Sequence, residues 1–571
     1  MGCATFLLWF GPTARLTVSD PELIWEIFVS KSASFEKYES HPLIRKLEGD
    51  GLLSLRGEKW AQHRKIITPS FHMENLKLLI PAMGKRVVEM IDGWPAMSDQ
   101  GEVEIDVSEW FQSLTEDIIT RTAFGSSYEG GKSVFRLQAQ QMVFAAEAFG
   151  KVLIPGYRYK HLFQHQSRES LTYSINGLNP VKPLLYHISE NTTSWKLDKA
   201  IQTSLVKLIG HRKETFAEEK ASQKAKDLLG LMIDARAETS SKNKNPKFNS
   251  NHAPPMITIQ DIVEECKTFF FAGKHSTSNL LTWTAVLLAM HPEWQEVARE
   301  EVLQVCGPHE LPAKDSIAKL KKTTTTPSFV LFNNFRGHGW CPFLISNEPR
   351  AIRSSGKPCG CGDQGPPSLS YSGACASYAG IQNSELPYCH WGIPFPFSHV
   401  RHFNSSDCPA DASVSLPTFC PCCVESLESR LSMIVNESLR LYPPVVATIR
   451  RAKADVELGS YKIPSGTELL IPILAVHHDP GTWGPDAAKF NPARFAEGAA
   501  RASLHPMAFI PFGLGARACV GQNLALVHAK MTLAILLQRF SLRLSPSYQH
   551  APTVLMLLYP QYGAPIIFQR L

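Results

Sequence analysis

Residues 258–290 carry the strongest helix signal in the chain. Thr258 with Asp261 three positions on makes a capping box, satisfying N–H groups that a helix start leaves unpaired. A largely apolar run continues to Met290, and Pro292 then opens a second helix over 292–305. Any fold for the chain has to house that segment. At 571 residues the chain is long enough for several ordinary domains, although some helical enzymes of this size have one large core. Hydrophobic residues at 44% and charged residues at 19% suit a globular protein rather than a disordered one. The net charge of +6 comes from scattered Lys and Arg and leaves no nucleic-acid footprint. Such a bias suits an acidic protein partner or an anionic membrane surface.

Upstream, strand-like and helical pieces alternate. Residues 14–18 read as a strand, and 20–30 as a helix with Asp20 as cap and Pro21 at the first position. Helix-period apolar faces mark 74–93 and 108–124. Residues 161–190 break the pattern with no sustained period, and helical character returns over 195–220 and 227–239, before a polar linker at 240–255. Residues 322–430 are rich in Pro, Gly, Ser and Cys, again without period. A structureless stretch that long argues against its being native fold. From Leu431 a helix runs to Leu441, short strands follow around 456–463 and 468–473, and a loop to Ala518 precedes a helix through Phe540. The expected class is mainly α with small β-sheets.

The apolar run at 4–10 is far shorter than the ~20 residues that span a bilayer. No basic stretch precedes it as in a signal peptide, and Phe6 stands where myristoylation after Gly2 wants Ser or Thr. The chain by itself reads as soluble and unprocessed. Of thirteen cysteines, nine lie between 322 and 430: Cys341, Cys359, Cys361, Cys375, Cys389, Cys408, Cys420, Cys422 and Cys423. Only Cys3, Cys266, Cys306 and Cys519 lie elsewhere, a thin usage that suits a reducing compartment.

Cys519 sits in Phe512-Gly513-Leu514-Gly515-Ala516-Arg517-Ala518-Cys519-Val520-Gly521. A Cys beside a helix start faces the positive end of the helix dipole, which favours thiolate. Gly513 and Gly515 let the backbone turn tightly below a flat cofactor, and Gly521 allows close approach of the helix. Arg517 places a cation where a cofactor carboxylate can pair with it. A lone Cys in a Gly-rich loop is more often a buried structural thiol. Here Phe-x-x-Gly-x-Arg-x-Cys-x-Gly is kept whole, and the segment resembles the haem-binding loop of the cytochrome P450 superfamily. The resemblance implies the cytochrome P450 fold and heme b, a haem whose iron is held by Cys519, with Phe512, Gly513, Arg517 and Gly521 shaping the site.

Other segments agree with that resemblance. Glu437-Ser438-Leu439-Arg440 is similar to the family's Glu-x-x-Arg helix, and Arg494 in Phe490-Asn491-Pro492-Ala493-Arg494-Phe495 to its partner arginine. One carboxylate between two guanidinium groups makes a buried network that keeps the fold rather than doing chemistry. Glu-x-x-Arg alone is commonly a surface i, i+3 pair. Trp60 and Arg64 resemble the Trp-x-x-x-Arg helix that faces the haem propionates, although such a pair is often ordinary packing. Arg450, after Tyr442-Pro443-Pro444, is a further propionate candidate, with Arg451 as the neighbouring possibility.

Ala272-Gly273-Lys274-His275-Ser276-Thr277 matches the family's oxygen-side motif, with His275 for the usual acid and Ser276 for the usual Thr. Gly273 is expected to let the helix kink over the haem, and Ser276 to hold water that protonates dioxygen. His275 is expected to shuttle protons near neutral pH. The plainer reading, small polar residues in a buried helix, fits Thr277 and Ser278 better than Ser276. An axial thiolate favours O–O cleavage, and hence insertion of oxygen into an unactivated C–H bond. No Gly-x-Gly-x-x-Gly fingerprint follows a strand, so electrons are expected from outside the chain, and the resemblance implies that an NADPH-dependent cytochrome reductase supplies them.

Residues 264–292 look like the plant clan that includes brassinosteroid and gibberellin oxidases. Residues 548–568, with Leu555-Met556-Leu557-Leu558-Tyr559-Pro560, are similar to brassinosteroid C-26 hydroxylases. The implied reaction is side-chain hydroxylation of a steroid hormone; other small lipophilic substrates are fatty acids, terpenoids or other hormones. The family's membrane anchor and hinge are missing before the first strand, although the resemblance implies the cytosolic face of the endoplasmic reticulum membrane. Lys160 joins naturally to Asn191, and Lys321 to Leu431, leaving 161–190 and 322–430 as inserts of retained-intron type in a gene reading that also lost its first exon. Rival readings make 322–430 a zinc module on Cys359, Cys361, Cys389, His390, Cys420, Cys422 and Cys423, or the whole chain a non-catalytic or misfolded haem protein. The spacing lacks paired Cys-x-x-Cys units. A haem-thiolate isomerase or dehydratase, needing no electrons, sits poorly with the hydroxyl at Ser276.

Overall fold

The computed structural model describes residues 5–10, 13–96, 101–124, 128–151, 181–219, 227–242, 257–308, 310–313, 316, 328–330, 343–345 and 429–571. Two compact units emerge, Met1–Thr323 with Thr418–Leu571, and Thr324–Pro417. Most of 322–430, including the cysteines and His390 of the zinc reading, lies outside the described residues, as do 161–180 of the shorter proposed insert.

Phe6–Phe10 (β1) pairs antiparallel with Thr13–Thr17 (β2). Asp20 accepts the Glu22 N–H and starts Pro21–Trp25 (α1), but Glu26–Ser30 continues as a π turn, so the helix expected over 20–30 changes its hydrogen-bond register. Phe35–Lys37 (β3), Pro42–Glu48 (α2), Gly57–Ile67 (α3), Met73–Asp92 (α4), Glu102–Asp106 (β4) and Val107–Phe124 (α5) follow. Next come Tyr128–Lys151 (α6), Val181–Glu219 (α7), Leu228–Lys242 (α8), Ile259–Met290 (α9) and Pro292–Cys306 (α10). Helix α7 thus begins ahead of the 195–220 signal, inside the segment read as without period. In the second unit the described residues form one antiparallel pair, Ser328–Val330 (β5) with Phe343–Ile345 (β6).

The first unit resumes with Arg430–Leu441 (α11), Thr448–Ala452 (β7), Val456–Leu458 (β8), Tyr461–Ile463 (β9) and Glu468–Ile471 (β10). Ile473–His477 (α12), Pro480–Trp483 (α13) and Gln522–Arg539 (α14) lead to Phe540–Leu544 (β11), Pro552–Leu555 (β12), Leu557–Pro560 (β13) and Pro565–Arg570 (β14). Residue 473 therefore opens a helix instead of ending a strand. A five-stranded sheet has the order β1-β2-β10-β7-β3, and a three-stranded one the order β11-β14-β4. No described helix is long and apolar enough to cross a membrane.

Helix α9 organises the first unit. The Thr258 hydroxyl accepts the Asp261 N–H at 3.1 Å while the Asp261 carboxylate accepts the Thr258 N–H at 2.9 Å, so the expected capping box forms. A helix apolar on most faces needs neighbours on most faces. Here α5 covers it along much of its length, and α2, α6, α11, α14, β11 and β13 close the remaining sides. Trp283, with no exposed surface, stacks on Tyr442 at 4.2 Å between ring centres. Burying one such side chain is worth roughly 1.5–3 kcal/mol. That enclosure brings α3, α11 and the loop before α14 into one neighbourhood.

Candidate active site

Cys519 stands three residues before α14, after a tight turn over Gly515–Arg517. Its N–H donates to the Phe512 carbonyl at 2.8 Å and closes the loop. Gly513 and Gly515 take φ of 71° and 66°, the left-handed region where a side chain is strained. A Cβ on Gly515 would also fall 2.2 Å from the Phe28 carbonyl, so the loop presses directly on the π turn. At Gly521 a Cβ would meet Cys519 Sγ at 3.9 Å, an ordinary contact. Close protein packing is therefore not what glycine serves there, contrary to expectation. The thiol also meets an opposing effect. Although the Cys519 side chain has exposed surface, the dense protein around the sulfur desolvates it and pushes the thiol up, against the Gly521 N–H, the Arg64 charge and the Gln522 N–H. The helix start alone does not make a thiolate; a bound cation deprotonates such a thiol outright.

Three arginines surround this loop. Arg64 Nη1 on α3 donates to the Ala518 carbonyl at 2.8 Å, next to Cys519. Arg517 Nη2 donates to the Leu55 carbonyl at 2.9 Å, and its guanidinium lies 4.4 Å from the Trp60 ring centre. Arg450 on β7 sits 4.5 Å from the Phe28 ring centre and donates to the Ile449 carbonyl and the Thr448 hydroxyl. Strand alternation separates the two candidates left open by the sequence: Arg450 is buried on the inner face, and Arg451 lies on the other, beside Gly466. Burial and the Arg517 charge push the Arg450 pKa down to about 10.

The brace is formed by α11. Arg440 meets the Glu437 carboxylate through Nε at 2.8 Å and Nη2 at 2.7 Å, both residues being fully buried. Arg440 also donates to the His477, Ala487 and Lys489 carbonyls, and the Asn491 N–H donates to Glu437 at 2.9 Å. Arg494 is the looser member. Its Nε lies 3.6 Å from Glu437 Oε1, and its other nitrogens donate to the Trp483 and Asp486 carbonyls. Burial pushes the Glu437 carboxyl up, opposed by Arg440, the Asn491 N–H and Arg494. His477 Nε2 in turn accepts the Ile510 N–H at 3.0 Å, which links the brace to the start of the cysteine loop.

On α9 the helix runs unbroken through Gly273, and a Cβ there would lie 2.7 Å from Ile119 Cγ1 on α5. Glycine serves close helix packing here, where a kink was expected. Ser276 Oγ donates to the Ala272 carbonyl at 2.7 Å, leaving its lone pairs free to accept. Thr277 is buried. Burial and the neighbouring Lys274 charge push the His275 pKa down to about 3, so the imidazole is neutral near pH 7 and the expected shuttle is corrected. Lys274 itself pairs with Glu116 of α5 at 2.5 Å.

The Cytochrome P450 family model matches residues 3–326 and 429–566. The chain belongs to the cytochrome P450 family. It is 50% identical to cytochrome P450 734A1 of Arabidopsis thaliana, over all of this chain and 81% of that protein. It is 49% identical to cytochrome P450 734A6 of Oryza sativa subsp. japonica, over 99% of this chain and 80% of that protein. Among solved structures, the haem domain of a cytochrome P450DA mutant has the same fold, with a TM-score of 0.63 at 18% identity, over 99% of this chain and 90% of that one.

As a cytochrome P450 the protein is a haem-thiolate monooxygenase, and its residues fit a haem. Arg450 and Arg517 repel each other, and among the described residues neither has a carboxylate at ion-pair distance. Such a pair suits an anionic edge, as haem propionates provide. Cys519 supplies a soft ligand with N–H groups and a cation around it. Sequence reading missed one link in this P450. His63 of α3 meets Glu265 of α9 at 2.6 Å, both buried, and Glu265 also accepts the Leu52 N–H. Two acids in the most apolar helix were the available signal.

Proposed function

We propose that Cys519 is the axial thiolate of a haem and that the enzyme hydroxylates the side chain of a brassinosteroid-type steroid. The convergence of Arg64, Arg450 and Arg517 on the Cys519 loop carries the first part. When bound, haem with a thiolate ligand supplies the cleavage of dioxygen and insertion into a C–H bond. Trp60, Arg64, Arg450 and Arg517 would hold its carboxylates, while Phe512, Gly513 and Gly521 would shape the loop. Glu437, Arg440 and Arg494 keep that loop in register. Ser276, whose proton is engaged by the Ala272 carbonyl, would accept a hydrogen bond from a water. His275, being neutral, orients rather than donates charge.

The similarity of residues 264–292 and 548–568 to brassinosteroid C-26 hydroxylases supports the substrate class, together with the 734A relatives. A separate buried cluster joins Ile44, Leu47, Ala145 and Phe271, packed with Met142 and Met556. Met556 belongs to the similar segment and takes a left-handed φ of 67° at the β12–β13 turn. Electrons come from NADPH through a separate reductase at the endoplasmic reticulum membrane.

Residues 322–430 and 161–190 are not part of the catalytic fold in this reading. The compact unit Thr324–Pro417 and the resumption of the family match at residue 429 support the first; the second rests on the Lys160 to Asn191 junction read in the sequence alone, and the family match runs through it. The decisive experiment compares the full chain with a form lacking both segments. Reduced, carbon-monoxide-bound spectra should show a thiolate-type Soret band, lost in Cys519→Ser. Steroid, NADPH and reductase should then yield a product carrying one added oxygen. No Soret band from either form makes the chain a non-catalytic product. Turnover of fatty acids or terpenoids alone overturns the substrate class, and turnover without NADPH overturns the monooxygenase reaction.

A further inference from the structure

Trp283 lies on α9 seven positions beyond Ser276, so both side chains leave the same face, about 10 Å apart along the helix axis. The indole has no exposed surface and stacks on Tyr442, with 4.2 Å between ring centres and 10° between planes. Tyr442 caps the end of α11 and is half-buried. Its hydroxyl stands 3.0 Å from Nε2 of His550, and Nδ1 of the same ring stands 2.8 Å from the Tyr548 hydroxyl. His550 is exposed and lies edge-on to both Trp283 and Tyr442, 5.7 Å from each ring centre. An unbroken aromatic path therefore leads from a buried position on α9 to solvent. Burial pushes the Tyr442 phenol up and the His550 imidazole down, so near neutral pH the first keeps its proton and the second is able to take one. With its own proton on Nδ1, the imidazole donates to Tyr548 and accepts from Tyr442. Thiols aside, indole and phenol are the side chains most readily oxidised by one electron. A phenol gives up its electron easily only when a base takes the proton with it.

We propose that Trp283, Tyr442 and His550 form an exit for oxidising equivalents, carrying them from α9 to the surface when dioxygen is activated with no substrate in place. The inference rests on the reading of the Cys519 loop as a haem site. In each passage Trp283 gives one electron to the oxidised haem. Tyr442 returns one electron to the indole and passes its phenolic proton to Nε2 of His550. The exposed imidazolium then releases a proton to solvent. An external thiol restores Tyr442 with one hydrogen atom, and two thiyl radicals so formed join as a disulfide. Tyr548 acts as a positioning residue that keeps Nε2 turned to Tyr442.

The test treats the full chain, loaded with haem and without steroid, with cumene hydroperoxide. It reads the tyrosyl radical by freeze-quench electron paramagnetic resonance, the bleaching of the haem, and oxygen added to Trp283 by peptide mass spectrometry. Wild type should give a tyrosyl signal that added thiol shortens. Tyr442→Phe keeps the stacked ring; it should lose most of the signal, bleach several-fold faster and gain oxygen at Trp283. His550→Gln keeps an acceptor for the phenol but no base, and should behave as Tyr442→Phe does. A purely structural His550 would leave His550→Gln like wild type, and that result overturns the proposal. If Tyr442→Phe fails to bind haem, His550→Gln, changed at an exposed position, decides by itself. Unchanged signal and bleaching in variants with a normal thiolate-type spectrum sink the exit and leave the haem site standing. Absence of that spectrum from wild type removes both together.

Discussion

Gly273 shows how one absent side chain can couple two helices. With Ile119 4% exposed on the facing helix, there is no room for even a methyl group between α5 and α9. Gly273→Ala is expected to cost about 1–3 kcal/mol of stability, the usual penalty for overpacking. Ile119→Ala in the same background should recover part of it, and denaturant titration of the four proteins in the cycle measures the coupling. Ser276 presents the opposite case, where chemistry and not space is at stake. Its proton is engaged by the Ala272 carbonyl, so only its lone pairs face a water. Ser276→Ala should leave the haem spectrum and the fold intact while product per NADPH falls several-fold and peroxide rises. Equal coupling in the two proteins would remove Ser276 from the proton path.

Between elements, buried polar pairs decide the registration. The His63–Glu265 contact at 2.6 Å fixes α3, which carries Trp60 and Arg64, against α9, which carries Ser276. His63→Ala leaves Glu265 with the Leu52 N–H but without its buried partner, at an expected cost of about 1–3 kcal/mol. His63→Gln should restore part of this, and thermal unfolding would show the order of the three proteins. The brace on α11 works at longer range. Glu437 and Arg440 reach residues 477–491, and His477 passes the constraint to the Ile510 N–H. Glu437→Ala uncovers a fully buried guanidinium and should cost about 3–5 kcal/mol. Haem content should fall with it, although none of the brace's hydrogen bonds reaches Cys519; full haem retention at wild-type stability would contradict this role.

For the molecule as a whole, three buried or half-buried histidines set the acid limb of stability. Burial pushes the pKa of His477 and His528 from 6.5 to about 3, and the same holds for His275 with Lys274 adding to it. The unfolded chain binds protons from about pH 6.5 downward while the fold refuses them until about 3. Stability is therefore whole above about pH 6.5 and is lost as pH falls toward 3. Each of the two deeply buried histidines contributes a slope of roughly 1.4 kcal/mol per pH unit. His528→Leu should flatten that limb in urea titrations at several pH values; an unchanged slope would show that His528 is protonated in the fold.

Local pattern went far in this protein because several of its devices are local. The Thr258–Asp261 box, the Pro292 start and the Phe512–Cys519 loop each depend on residues a few positions apart, whose geometry the backbone imposes. The residue types of the brace were readable for the same reason, since Glu437 and Arg440 lie one helical turn apart. Long-range burial was not readable. It alone decides that Arg450 and not Arg451 faces the cysteine loop, that Gly273 answers Ile119, that His63 finds Glu265, and that His550 meets Tyr442. It also sets proton affinities against the local expectation: the helix start argued for a thiolate at Cys519 and the ring chemistry for a shuttle at His275. Desolvation by distant parts of the chain opposes both, because the free energy of a charge depends on everything packed around it.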